Sequence, residues 1–343
     1  MHIMEGYLPL PWVIFWTLVA LPFWIYGIYA MRKFLAEHPE KKLSLALSGA
    51  FVVILSSLKI PSVTGSSSHP TGTGLGVMLS GPWNLVIICT IVLLFQATFL
   101  AHGGYTTLGA NVFSMGIAGP FAAWYLYKLF LKYKVNPAIN VFIVAFVADI
   151  VTYLVTSLQL TLIIPYAGMG AFLNTYTTFF GIFCITQIPL AIAEGLMVVF
   201  FFSYLADVRP ELVAGMGYRT DGRNTRGILN SDVKQGIFNL TKKAKARLTL
   251  LCFAVVTGVM IVLAYFFAFF RNMGGADDAG ADKISELIPG FHRLTDNFIQ
   301  FSDFHTSLLF LLQTAVGVSI VVIVLYLFRK RGQKKKEEGS EET

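Results

Sequence analysis

Long apolar runs alternate with short polar breaks along the chain, and most of the runs are long enough to cross a bilayer as helices. The first covers residues 10–31 and the second 43–60. Further runs follow at 85–101, 108–130, 141–164 and 177–205, with a shorter apolar stretch at 75–81. After residue 205 the pattern changes. Residues 208–247 carry nine basic and three acidic side chains, with Gly215-Met216-Gly217 and Asp221-Gly222 as flexible points, which is the composition of a linker. Two more apolar runs, 248–270 and 306–328, flank a polar segment at 271–305 that holds six acidic and three basic residues. The pattern predicts an all-α polytopic membrane protein. Its parts are a transmembrane unit at 1–207, a basic linker at 208–247, a two-span unit at 248–328 with a loop at 271–305, and a charged tail at 329–343.

Composition and charge turn this pattern into a topology. With 55% hydrophobic and 13% charged residues and a mean hydropathy of +0.67, the chain is too apolar for a soluble domain. The net charge of +7 does not point to nucleic acid, because the basic residues gather in short segments beside the apolar runs, where they face anionic lipid. Segments 32–42, 128–134 and 208–247 and the tail from 329 hold 22 of the 26 Lys and Arg residues. Placing all four in the cytoplasm puts the N-terminus outside and the C-terminus inside. The same placement requires an odd number of crossings between residues 60 and 128, so a short span is expected at about 71–82 beside the two obvious ones. The first unit then has seven spans and the second has two. Cys89, Cys184 and Cys252 lie in apolar runs without paired spacing and read as packing residues.

The chemistry concentrates at the outer side of the first unit. The chain starts Met1-His2-Ile3-Met4-Glu5-Gly6-Tyr7-Leu8-Pro9, without the basic stretch and small-residue cleavage site of a secretory leader, so Met1 is expected to stay. Its amine, the His2 backbone nitrogen and the His2 imidazole can close two fused chelate rings on one metal ion. Nitrogen donors in a plane suit Ni(II), Cu(II) or low-spin Co(II). The plain alternative is a second-position histidine of no consequence. Against it, the topology brings His69 and His102 to the same mouth. His69, in the small-residue run Gly65-Ser66-Ser67-Ser68-His69-Pro70-Thr71-Gly72, can supply a fourth nitrogen. His102 reads as an orienting neighbour, a ligand at another stage of capture or a plain helix end. Glu5 is close in sequence but of unknown direction. Asp149 and Glu194 lie inside spans and need protein or water around them, as helix-packing groups or in ion passage. His292 and His305, in the loop of the second unit, are either metal collectors or solvated side chains. No His-Glu-x-x-His sequence and no Gly-x-x-x-x-Gly-Lys-Ser/Thr phosphate loop occurs, so neither an intramembrane metalloenzyme nor ATP hydrolysis by this chain is expected. A structural or regulatory membrane subunit stays open as a second class.

The start Met1 to Pro9, the run Pro61-Ser62-Val63-Thr64-Gly65-Ser66-Ser67-Ser68-His69-Pro70-Thr71-Gly72-Thr73-Gly74-Leu75-Gly76 and the run His102-Gly103-Gly104-Tyr105-Thr106-Thr107-Leu108-Gly109-Ala110-Asn111 resemble the CbiM family. This family is the substrate-specific membrane component of energy-coupling-factor (ECF) cobalt transporters, and the resemblance covers about residues 1–205. The C-terminal spans, with Ser307-Leu308-Leu309-Phe310-Leu311-Leu312-Gln313-Thr314-Ala315-Val316-Gly317, are similar to the small CbiN component. The resemblance implies a seven-helix ECF substrate-binding unit followed by a two-helix hairpin with an extracytoplasmic loop that assists metal loading. It implies cobalt(II) held by the Met1 amine, the backbone and ring nitrogens of His2 and the ring of His69, with nickel(II) as the alternative from a related branch that shares the Met-His start. It also implies no cofactor of the chain's own, and partners in a transmembrane coupling subunit and cytosolic ATPases. Ser67 departs from the cysteine expected in many cobalt-type members.

Overall fold

A computed structural model of the chain describes residues 2–57, 60–61, 67–100, 102–165, 168–218, 276–295, 308–309, 312–324 and 326–327. The first helix, α1 (Leu10–Glu37), starts where Pro9 and Pro11 fix the backbone for a helix N-terminus, and it stops at His38-Pro39. Only Trp16, Ala20 and Gly27 are buried on it, and its outer face carries Leu18, Ile25 and Tyr29 exposed, as a helix bathed in lipid does. There follow α2 (Lys42–Ser57), α3 (Thr73–Ser80) and α4 (Pro82–Leu100). After α5 (Leu108–Asn111), a π-type stretch at Val112–Ala118 leads into α6 (Gly119–Lys132). Last in this unit come α7 (Pro137–Leu162), α8 (Met169–Val208) and α9 (Pro210–Gly215). Four of these, α1, α4, α7 and α8, are long and apolar enough to cross a membrane.

The expected seven segments of the first unit are all present as helices, but the third is not a full span. The sequence pattern placed it at about 71–82, whereas α3 has eight helical residues, about 12 Å of rise. Gly72, at φ +71°, blocks any earlier start, and the turn at Gly81 before Pro82 ends the helix. The non-helical segment 69–72 leads into it, with His69 and Thr71 buried. Gly72 packs so closely on α2 that a Cβ there would lie 2.8 Å from the Val52 Cα. Before it, Ile60–Pro61 pairs antiparallel with Ser67–Ser68.

In the second unit the expected span at 248–270 lies outside the described residues, as does most of the linker. The polar loop contains a helix that its composition hides, α10 (Ala276–Leu287). Ala281 and Ile284 are buried on one side of it, while Asp282 and Glu286 face outward and Lys283 pairs with Glu286 at 2.6 Å. Its buried side joins an apolar cluster with Ile3, Tyr7, Leu8, Tyr153, Leu160, Phe179 and Phe183 around the N-terminal segment. The last span appears as α11 (Leu312–Val324), laid on α2. There the Ser57 and Thr314 hydroxyls are 2.8 Å apart and the Gln313 side chain donates to the Val53 carbonyl at 3.0 Å. Gly317 lets the two backbones touch, since a Cβ there would meet Ile54 at 2.5 Å, the small-residue contact that joins helices in lipid. Cysteines replacing Ser57 and Thr314 in a background without other cysteines are therefore expected to crosslink on oxidation. Adding Gly317→Leu is expected to lower the yield severalfold on a non-reducing gel; an unchanged yield would contradict this packing.

Candidate metal centre

Three histidines from distant parts of the sequence meet inside the bundle. His2 Nδ1 lies 2.6 Å from His102 Nε2 and 3.3 Å from His69 Nε2, and the last two nitrogens are 3.2 Å apart. All three residues are at least 95% buried. Ring planes of His2 and His69 are nearly stacked, 26° apart, and His102 stands edge-on to His2. A triangle with these edges fits one ion about 2 Å from every corner, a normal metal–imidazole distance. Among the described residues this is the one group of three or more His, Cys, Asp or Glu side chains close enough to hold a metal ion.

The tautomers suit that task. His69 Nδ1 is 2.9 Å from the Pro70 carbonyl, and an oxygen there accepts only from a protonated nitrogen, which leaves the Nε2 lone pair turned toward the other two rings. His2 presents Nδ1, the ring nitrogen nearest its own main chain and the one from which a chelate ring through the His2 backbone nitrogen closes. Met1 itself lies outside the described residues.

Each histidine is held by a different device. The N-terminal segment is gripped through its backbone: the Ile3 N–H donates to Asn111 Oδ1 at 2.8 Å, and the Ile3 carbonyl accepts from Asn111 Nδ2 at 3.0 Å and Thr107 Oγ1 at 2.8 Å. The Glu5 N–H donates to the Gly103 carbonyl at 3.2 Å and the Gly6 N–H to Thr106 Oγ1 at 3.2 Å. In return the Glu5 carboxylate accepts from the backbone N–H of Tyr105 and the hydroxyl of Thr106, pinning the loop that carries His102. Gly103 and Gly104 permit this approach, for a Cβ on Gly104 would stand 2.6 Å from the Glu5 Cα. The His69 loop is held from below. Tyr153 donates its hydroxyl to the His69 carbonyl at 3.0 Å, and the Glu194 carboxylate accepts from the Thr71 and Gly72 N–H groups at 2.7 and 3.0 Å.

The structure thus brings His2, His69 and His102 together, with the His102 ring nitrogen as close to the other two as they are to each other. Glu5 turns toward its loop and away from the triangle. Asp149 and Glu194 are both fully buried. His292 is exposed, and His305 lies outside the described residues. Asn111, Thr107 and Tyr153 had no role assigned from the sequence, because nothing local marks a side chain that works on another segment's backbone. The second unit reaches the site as well. The Leu294 N–H donates to the Gly6 carbonyl at 2.8 Å, Thr295 Oγ1 to Glu5 Oε1 at 2.8 Å, and the Arg293 guanidinium lies 4.5 Å over the Tyr7 ring. Between the units a small cleft opens beside His2, lined by Ile3, Tyr7, Thr156, Leu160, Ala281 and Ile284.

A model of the CbiM family, described as the cobalt uptake substrate-specific transmembrane region, matches residues 2–212. The chain belongs to the CbiM family. Residues 243–339 match the family described as the cobalt transport protein component CbiN, so the resemblance drawn from the motifs holds at both ends. The cobalt transport protein CbiM of Nostoc sp. is 54% identical over 211 residues, 62% of this chain and 80% of that protein. A putative fused cobalt transport protein CbiMQ of Methanocorpusculum labreanum is 40% identical over 98% of this chain, which spans 55% of that longer protein. A crystal structure described as a transition metal transporter covers 65% of this chain and all of its own at TM-score 0.51 and 24% identity, a likeness of fold. The chain is a multi-pass membrane component of cobalt uptake, in a family of transport proteins rather than enzymes.

Asn111→Ala would leave the Ile3 N–H unpaired, at about 1–3 kcal/mol for a buried donor, and leave the Ile3 carbonyl to Thr107 alone. The Ile3 and Glu5 amides are then expected to exchange hydrogen at least ~10-fold faster by mass spectrometry, and unchanged exchange would contradict the grip described here.

Proposed function

We propose that this chain captures cobalt(II) at the outer face of the membrane for an ECF-type uptake transporter, holding the ion through the Met1 amine, the backbone and ring nitrogens of His2 and the ring of His69. The convergence of His2 Nδ1, His69 Nε2 and His102 Nε2 in a buried triangle carries the reading. His102 serves as a third imidazole contact for the entering ion, and Glu5, Asn111 and Glu194 act as positioning residues. The domains follow the sequence boundaries, with the binding unit at 1–207 and the two-span unit at 248–328. Charge asymmetry supports an outside N-terminus and a cytoplasmic tail. Transport is powered by separate cytosolic ATPases through a transmembrane coupling subunit, consistent with the lack of a phosphate loop in this sequence. The second unit assists loading by pressing its outer loop on residues 5–7, where Leu294, Thr295 and Arg293 make their contacts. Nickel(II) is the second reading, because nitrogen donors in a plane accept it and the Irving–Williams order favours it; competition between the two ions on the purified chain decides.

One alanine inserted between Met1 and His2 alters no side chain of the site but moves the amine away from the His2 chelate. Cobalt affinity of the purified full chain, measured by equilibrium dialysis, is expected to fall at least ~100-fold, in the upper range for disturbing a metal site. Affinity and cellular uptake that survive the insertion would overturn the ligand set.

A further inference from the structure

Asp149 stands out among the buried carboxylates. It lies in the middle of α7 with no exposed surface, and neither carboxylate oxygen has a hydrogen-bond partner among the described residues. The other two buried acids are fully engaged, Glu5 by the loop at 105–106 and Thr295, and Glu194 by Thr71 and Gly72. Glu194 is also close enough for its charge to repel that of Asp149, and the positive charge acting against this is the N-terminal amine, itself a proposed ligand of the ion. Of the helices packed on α7, α3 and α8 contain no lysine or arginine, and α6, whose Gly119 end lies beside Ala148 and Thr152, carries Lys128 and Lys132 only at its exposed far end. A carboxylate so placed in a membrane protein stays ionised only where it meets a positive charge from elsewhere.

Its position says which charge that is. Residues 149, 153 and 156 share one face of α7. Tyr153 holds the His69 carbonyl, and Thr156 lines the cleft with His2, so Asp149 is the inner end of a row directed at the metal centre, one helical turn or about 6 Å of rise from Tyr153. The donors proposed for the ion are imidazoles and main-chain nitrogens, and no carboxylate joins them. The His2 backbone nitrogen binds as its deprotonated amide and cancels one unit of charge, so a divalent ion in this buried place still brings one positive charge that its own ligands do not cancel. We infer that Asp149 is the counter-anion of the captured ion, compensating its charge from below the His69 loop without entering the ligand set. The inference rests on reading the histidine cluster as the capture site. It makes Asp149 a determinant of affinity for divalent ions, separate from the geometry that the histidines impose.

The test compares Asp149→Asn, which keeps the shape and removes the charge, with Asp149→Glu, which keeps the charge and changes the shape. Both are made in the full chain, with cobalt(II) as the probe. Asp149→Asn is expected to weaken cobalt binding about 10- to 100-fold while the cobalt ligand-field spectrum at saturating metal stays that of the wild type, and Asp149→Glu is expected to bind more tightly than Asp149→Asn. A helix-packing role would reverse the order of the two variants, and a direct ligand would change the spectrum in Asp149→Asn; either result overturns the inference, as does wild-type affinity in Asp149→Asn. His69→Ala separates the two levels: cobalt binding that persists unchanged in it overturns the histidine site and the counter-anion together, whereas loss of binding there with wild-type affinity in Asp149→Asn overturns the counter-anion alone.

Discussion

The first residues of a chain fray unless something holds them, and here the backbone of Ile3, Glu5 and Gly6 is held inside the bundle by hydrogen bonds to Asn111, Thr107, Gly103 and Thr106. That grip places His2 against His69 and His102, and much of the local architecture follows from it. Glycine stands at 104 because the Glu5 backbone comes too close for a Cβ, and at 103 because the loop turns there at φ +74°. Glu5 returns the hold by fixing the His102 loop, so two segments about a hundred residues apart position each other.

The second constraint is the membrane. Non-helical backbone can lie at this depth only inside protein with its polar groups satisfied, and the stretch from His69 to Gly72 meets that demand through Tyr153 and Glu194. The cost of a carboxylate in a span, about 2.5–3.5 kcal/mol on insertion scales, is offset for Glu194 by the N–H groups it accepts. Asp149 has no such partners among the described residues, and that contrast gives it a different meaning.

Much of this was legible in the sequence. Hydrophobic runs located the helices of the first unit, and the motifs around Met1-His2, His69 and His102 named the family and the three converging histidines. Local pattern carried less where structure depends on contacts between segments. The short α3 depends on Gly72 packing against α2, and α10 was hidden because its apolar side, Ala281, Ile284 and Leu287, is diluted by acidic residues. Asn111 and Thr107 sit in a motif that identifies the family, yet their work on the Ile3 backbone appears only when the chain is folded. Glu194 reads from the sequence as an acid inside a span; its partners are amides, which no charge-based reading of a sequence finds.

The central claim is that cobalt(II) binds where the N-terminus meets His2 and His69. X-ray absorption at the cobalt edge of the loaded full chain tests it most directly. The expected spectrum shows a shell of nitrogen donors with imidazole scattering that loses one imidazole in His69→Ala. A shell containing sulfur or carboxylate oxygen, or one that His69→Ala leaves unchanged, would contradict it.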